Sequence, residues 1–415
     1  MQRRQLLKYG LIGGAGLGLS ATLGCQHFLE STLFNACKIA SLPADLANND
    51  YMLQAFEGID LTQLWDSHFH LIGNGVSAGF DNKKTGIWLS PNMTSWMSPT
   101  QRIQYSFYMD AACIDDPKLA DKAYVNNVLL LANQLPLGIK FMLLAFDYQY
   151  DDQGKINKAG STFYVPNDYA ARVANSSERF EWIASVHPYR DDALESLEWC
   201  SKNGAKAVKW LPPAMNIDPS SKKCEAFYQK LKELNLALLT HAGEEKAVHS
   251  EEMQTLANPL LLRKPLDMGV KVIIAHCASL GASEDLESPS KKLTSNFNLF
   301  ARLMDDPNYQ SNCIADISAI NLINRESDEV SQIIERQDWH ERLLFASDYP
   351  LPGVMPLISS KNLAKSGLLD EKYIAFVSEV RKHNSWLYDF LIKRLMSSNG
   401  IRFSNAVFET RKHFK

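Results

Sequence analysis

Short apolar runs, each ending in a residue of metal or proton chemistry, constrain this chain most. Leu61-Thr62-Gln63-Leu64-Trp65 leads into Asp66-Ser67-His68-Phe69-His70. Residues 205–208 end in Lys209, 236–240 in His241, 270–275 in His276 and 343–347 in Asp348. Each run is strand-length and is followed by turn or helix signals, which reads as a buried parallel strand. Three further runs, 139–146, 182–186 and 313–317, complete a set of eight. Helical patterns lie between them, at 191–203, 221–234, 250–268, through Phe300 and Met304, and at 328–336. The alternation predicts α/β architecture, and eight such units predict a (β/α)8 TIM barrel over residues 61–396. A doubly wound open sheet is the competitor, but it usually carries a Gly-rich phosphate turn after a strand. The Gly-rich stretch of this chain lies near its start instead.

In a parallel barrel the C-terminal strand ends share one mouth. Residues two apart on a strand share a face, so His68 and His70 point the same way and Phe69 points away. Taken alone, the pair is either half of a divalent-metal site or two ordinary polar residues at a strand end. Lys209 is in phase with Ala205 and Ala207, two small residues suited to the barrel interior. A long segment, 71–135, follows the first strand. It is rich in aromatic and methionine residues, among them Trp88, Met93, Trp96, Met97, Tyr105, Tyr108 and Met109. It is either a lid over the mouth or an extra subdomain. Residues 281–295 read as a polar loop, and two apolar helices near 371–379 and 384–396 end the barrel unit.

The ordered motifs resemble the amidohydrolase superfamily, in particular its amidohydrolase-related branch, amidohydrolase family 2. The resemblance rests on His68-x-His70, on Gly204-Ala205-Lys206-Ala207-Val208-Lys209, on His241-Ala242-Gly243-Glu244, on His276-Cys277 and on Ser347-Asp348-Tyr349-Pro350. It spans roughly residues 60–395 and is specific for the superfamily, not for a substrate. It implies a divalent metal held by His68, His70, His241 and Asp348. Zinc suits imidazole and carboxylate ligands best, with manganese or iron as alternatives. It implies Asp348 as the base that serves a metal-activated water. His276 either polarises the substrate or ligates a second ion. Lys209 is either carboxylated, bridging two ions, or an ammonium paired with an acid such as Glu244. His187, Arg190 and Trp210 are candidates for substrate contact or for the layer behind it, with His187 otherwise ending its strand and Arg190 otherwise in a salt bridge; Glu244 and Glu245 lie on a loop near the metal or in solvent. The activity implied is hydrolysis of a C–N or C–O bond (amide, lactone or ester) in a small organic molecule. The alternatives are non-oxidative decarboxylation of a small carboxylic acid, or a catalytically silent binding barrel.

The composition, 46% hydrophobic and 22% charged, is that of a globular protein with a large core. Lysines and arginines are scattered and the formal charge is −4, which argues against nucleic acid as a partner. Residues 1–25 read as an export signal. Arg3-Arg4 with Lys8 resembles a twin-arginine n-region, and a weakly apolar, glycine-rich stretch follows. Thr22-Leu23-Gly24-Cys25 resembles an imperfect lipobox, which makes Cys25 the candidate lipidation site. The expected location is periplasmic or cell-envelope, with membrane contact only through that signal or a lipid anchor. Residues 26–60 read as a tether and N-terminal extension, and 397–415 as a C-terminal tail. The other six cysteines are widely spaced, with no Cys-x-x-Cys, and are read mostly as buried thiols.

Overall fold

The computed structural model describes residues 34–246 and 251–414. The expected export signal, with Cys25, and the first part of the expected tether lie outside the described residues. Eight strands pair in parallel, in this order along the chain: β1 Trp65–His70, β2 Lys140–Leu144, β3 Phe180–Ile183, β4 Ala207–Trp210, β5 Ala237–Thr240, β6 Val272–Ile274, β7 Cys313–Asp316 and β8 Leu343–Leu344. The first three form one parallel sheet and the last five a second, each in chain order. Single parallel bridges join the two sheets on both sides, Ala184 to Val208 and Phe69 to Tyr349. The molecule is therefore α/β with parallel sheets, each strand but the first joined to its predecessor by a crossover of the kind parallel pairing requires.

The strands are short and apolar because both faces are covered. One face belongs to a small cluster that includes Met142, Ile183, Ala207, Leu239, Ile273, Ile314 and Leu344. The other face packs outward against the helices in a larger cluster. Ala207 belongs to the small cluster, so Lys209, two residues on, shares its face. Ala205 falls in the larger cluster instead, so only half of the expected small-residue face is present.

The helices after the strands lie where the periodicity places them: Ala193–Lys202, Glu225–Glu233, Asn296–Asp305 and Ser327–Glu335. The first stops where Gly204 adopts φ +87°, a conformation that side chains resist. Several boundaries differ from expectation. Residues 61–63 are turn, so the Asp-Ser-His-Phe-His motif is itself the strand rather than its end. The expected polar loop 281–295 contains a two-stranded antiparallel hairpin, Ala282–Glu284 with Leu293–Ser295. The expected tether holds two short helices, Ala44–Ala47 and Asp50–Phe56, with Met52 and Ala55 buried. Cys37 is joined to Cys113 in a disulfide, which corrects the reading of these two as thiols. Cys200, Cys224, Cys277 and Cys313 are buried and free.

The last residues are packed rather than trailing. Phe414 joins the small interior cluster, Thr410 Oγ1 accepts from the Trp65 backbone N–H at 3.1 Å, and Arg411 N–H donates to the Gln63 carbonyl at 3.0 Å. Segment 397–414 thus covers the N-terminal end of the strands, opposite the end that carries the histidines. Part of segment 71–135 lies at the histidine end, while its helix Ala120–Asn133 packs in the larger cluster and leads to β2. Its helix Pro99–Ala111 starts on a proline, which suits the first helical turn. That helix brings Tyr105, Tyr108 and Met109 into the wall of the cavity described next.

Candidate active site

Side chains from five strand ends meet in one place. His70 Nε2 lies 3.0 Å from Asp348 Oδ1, and His68 Nε2 lies 3.5 Å from the same oxygen. Lys209 Nζ is 3.1 Å from His68 Nε2. The His276 ring stands 5.2 Å from both the His68 and the His241 rings. All six residues, with Glu245, line one cavity of about 120 Å³. Its remaining wall is mainly apolar, including Leu71, Leu89, Met93, Phe146, Phe163 and Val165.

The backbone is strained where it presents these groups. His276, Cys277 and Ala278 take consecutive φ values of 58°, 50° and 47°, and Asp348 takes 57°. Left-handed backbone costs roughly 1–2 kcal/mol for each residue with a side chain. Hydrogen bonds hold it: His276 N–H donates to Asp316 Oδ1 at 2.9 Å, and Asp348 N–H to the His68 carbonyl at 2.9 Å. Strain of this kind persists where the surroundings over-determine a functional conformation.

A layer of carboxylates lies beneath. Asp316, at the end of β7, sits 3.0 Å from His68 Nδ1 and accepts from the backbone of His276 and Ser318. A carboxylate accepts, so His68 carries its proton on Nδ1 and leaves the Nε2 lone pair toward Asp348. The same logic applies to His276, whose Nδ1 faces the Ser318 carbonyl at 3.1 Å. Asp66 accepts from Ser347 N–H (2.9 Å), Ser347 Oγ–H (2.5 Å), Trp386 Nε1–H (2.7 Å) and His68 N–H (3.2 Å). It thereby ties β1 to the segment that carries Asp348. Burial nevertheless pushes the Asp66 carboxyl up to about 7.

The electrostatics follow from burial and proximity. Burial holds His68, His241 and His276 below the usual imidazole range, so they are neutral, as ligands must be. Burial would raise Asp348, but His68, His70 and His276 outweigh it and keep the carboxyl well below the usual range. Burial pushes Lys209 down to about 8, against the opposing pull of Asp316, Asp348 and Glu245.

His68, His70 and Asp348 offer three ligand atoms within 4.8 Å of one another. Four-coordinate zinc with bonds of ~2.1 Å places its ligands ~3.4 Å apart. The 3.0 and 3.5 Å separations bracket that value, so the donor set fits a divalent ion. A second converging group, His68, His276 and Asp316, is different in kind. Asp316 is fully buried, does not line the cavity and already accepts several hydrogen bonds, so it positions the imidazoles. Neither three-donor group includes His241. Its Nε2 faces the Gly243 carbonyl at 3.1 Å and its Nδ1 lies 3.4 Å from Glu245.

The expected substrate contacts are placed elsewhere. His187 is fully buried, with Nε2 on the Met215 carbonyl at 2.7 Å and Nδ1 accepting from Tyr189 N–H at 3.1 Å. Arg190 pairs with Asp147 at 2.9 Å and Asp192 at 2.7 Å. Trp210 donates to the Val186 carbonyl at 2.9 Å and packs on Phe227 and Tyr228. None of the three lines the cavity. Each strand end carries two faces, and these side chains take the outer one or the loop beneath. Conversely, Asp316 is a site residue that sequence reasoning missed. Its signal was present only in part: Asp316 stands inside run 313–317, one residue before its end, whereas the other runs lead into His, Lys or Asp. Ser318 and Tyr108 carried no such signal.

Residues 65–364 match the protein family described as amidohydrolase, and the chain belongs to that family. Solved structures to which it is similar include a probable 2-pyrone-4,6-dicarboxylic acid hydrolase from Acinetobacter baumannii. That match is 14% identical, covers 79% of this chain and 99% of the other, and has a TM-score of 0.42. IDCase from Metarhizium anisopliae is 10% identical over 89% of this chain and 99% of its own, with a TM-score of 0.40. The 4-oxalomesaconate hydratase of Rhodopseudomonas palustris is 15% identical over 78% and 96%, with a TM-score of 0.38. No curated protein matches the chain.

Proposed function

We propose that residues 61–396 form a closed (β/α)8 barrel, with segment 71–135 as an insertion over its mouth, and that it is a metal-dependent hydrolase. Its target is an amide, ester or lactone bond in a small organic molecule. The observation that carries this reading is the convergence of His68 Nε2, His70 Nε2 and Asp348 Oδ1 at the base of a cavity with apolar walls.

His68, His70 and Asp348 would hold the ion, with His276 and His241 completing its surroundings and zinc as the metal. When bound, such an ion acidifies a water and polarises a carbonyl. Asp348 is ionised and close to both imidazoles, so it takes the proton of the attacking water and returns it to the leaving group. The Nδ1–H of His68 stays on Asp316, which keeps the ligand lone pair aimed inward. The apolar wall excludes bulk water from the reacting carbonyl and strengthens every charge interaction there.

Lys209 decides between one ion and two. With its ammonium pushed down to about 8, roughly a tenth of it is free amine at pH 7. That amine is the form that reacts with CO₂ to give a bridging carbamate. The 3.1 Å approach of Nζ to a ligand nitrogen supports this reading, because an ammonium there would repel the ion.

The test is metal analysis and turnover together. The purified protein should carry one or two equivalents of a divalent metal and cleave members of a panel of esters, lactones and amides. Release of CO₂ from an acid substrate in place of hydrolysis would move the assignment to decarboxylation. Absence of metal after expression with zinc and manganese would favour a binding protein. Export through the twin-arginine route, with lipidation at Cys25, belongs to the same proposal. It rests on the pattern of residues 1–25 and agrees with a Cys37–Cys113 disulfide, a bond that persists in oxidising compartments.

A further inference from the structure

Asp348, His241 and His276 stand between two chambers of different character, and His68 and His70 line the first alone. Tyr108, His241, Glu245, His276, Asp348 and Leu351 line both. The first chamber, about 120 Å³, has the apolar wall already described and no guanidinium. A dry apolar space of ~150 Å³ accommodates benzene, so this one suits a group of ring size. The second chamber, about 380 Å³, contains Arg325.

Among the described residues, the other charged groups of the second chamber have a side-chain partner within 4 Å. Glu244 pairs with Lys246 at 3.3 Å, Glu245 lies 3.4 Å from His241, and Asp348 is bonded to His70. Arg325 has its Nε–H on the Ala319 carbonyl at 3.1 Å. Asp348, Glu245 and Glu329 act on it only across a distance, and burial pushes its guanidinium down to about 10. Arg325 is partly exposed, and among the described residues no carboxylate lies within ion-pair distance of its remaining donors, which leaves them open to an anion in the chamber. The planar fork of a guanidinium matches a carboxylate in two parallel hydrogen bonds. Three acids in the same wall repel a doubly charged phosphate more than a singly charged carboxylate, so the carboxylate is the better match to Arg325.

We infer that the site takes an amphiphilic substrate: an amide or ester with an apolar, ring-sized group on one side of the reactive bond and a carboxylate, held by Arg325, on the other. This rests on the hydrolase reading for the bond and on the two chambers for the substituents.

The experiment is calorimetric binding to the metal-loaded protein of two isosteric probes, N-benzoylglycine and its primary amide. The wild type should bind the acid ~10-fold or more tightly than the amide, the size of a charge-assisted hydrogen bond. Arg325→Gln should erase that ratio, and Arg325→Lys should retain part of it, since the charge stays and the fork is lost. Leu89→Trp, which fills the apolar chamber, should weaken both probes and leave their ratio unchanged. Equal binding of acid and amide by the wild type overturns the inference, as does a preference that survives Arg325→Gln. So does failure of both probes to bind at millimolar concentration. Turnover of phenyl acetate by the wild type reports separately on hydrolysis. Ester cleavage without acid preference sinks the inference alone, and acid preference without turnover of any ester or amide sinks the hydrolase reading alone.

Discussion

Asp316→Asn tests whether the buried carboxylate beneath His68 controls metal affinity through the imidazole tautomer. Asp316 Oδ1 receives the backbone N–H groups of His276 at 2.9 Å and Ser318 at 3.0 Å, so an asparagine keeps its carbonyl oxygen there. Its NH₂ then occupies the place of Oδ2, 3.0 Å from His68 Nδ1. Two donors cannot face each other, so His68 must move its proton to Nε2, the nitrogen that faces Asp348. The ligand lone pair is lost from the metal side while the volume of the core is unchanged. Removing an outer partner of a metal-ligating histidine typically costs 10–100-fold in affinity. That is about 1.4–2.7 kcal/mol. Competition with a chelator of known affinity measures it, and a thermal melt of the metal-free protein checks that the fold is retained. Wild-type metal affinity in a folded Asp316→Asn protein would refute the tautomer argument and leave Asp316 a packing residue.

Four further outcomes are expected, three from the geometry and the last from the pattern of residues 1–25. Asp348→Asn should lower kcat by ~10²-fold or more on any substrate found, because an amide takes no proton; near wild-type turnover excludes Asp348 as base. Lys209→Ala should remove the second of two metal equivalents, with partial recovery in bicarbonate or a short-chain acid if a carbamate bridges two ions; one equivalent in both proteins rules the bridge out. His187 is held neutral, its pKa pushed down by burial to about 3 from an ordinary ~6.5, so the unfolded chain binds the extra proton between those values. Stability should be complete above pH ~6.5 and fall on acidification toward pH ~3, by at most ~1.4 kcal/mol per pH unit from this residue; parallel denaturation curves for wild type and His187→Gln would contradict it. Replacing Arg3 and Arg4 with lysine should retain the protein inside the cell, and Cys25→Ala should abolish incorporation of a lipid label; unchanged fractionation and unlabelled wild type count against twin-arginine export and lipidation respectively.

The sequence made the site legible where one rule governed it, and illegible where a second layer of structure intervened. A strand end that faces the cavity needs only strand phase to be read, and His68, His70, Lys209, His241, His276 and Asp348 do line one cavity. His187, Arg190 and Trp210 obey the same linear pattern, yet the Met215 carbonyl, Asp147 and the Val186 carbonyl claim them. Those partners lie 28, 43 and 24 residues away, and nothing in local periodicity distinguishes a satisfied buried polar group from a substrate contact. The Cys37–Cys113 bond spans a separation of 76 residues and was hidden for the same reason. Asp316 shows the converse. Its position at a strand end was visible, but its role is set by what it touches, His68 in front and two backbone amides behind. A carboxylate that accepts from an imidazole and a carboxylate that ligates a metal look alike in one dimension. What separates Asp316 from Asp348 is that the first has no open surface and the second lines the cavity. Arg325 is the sharpest instance: in sequence it is one more loop arginine, and it is read as a binding group because, among the described residues, the acids that act on it stand beyond ion-pair distance.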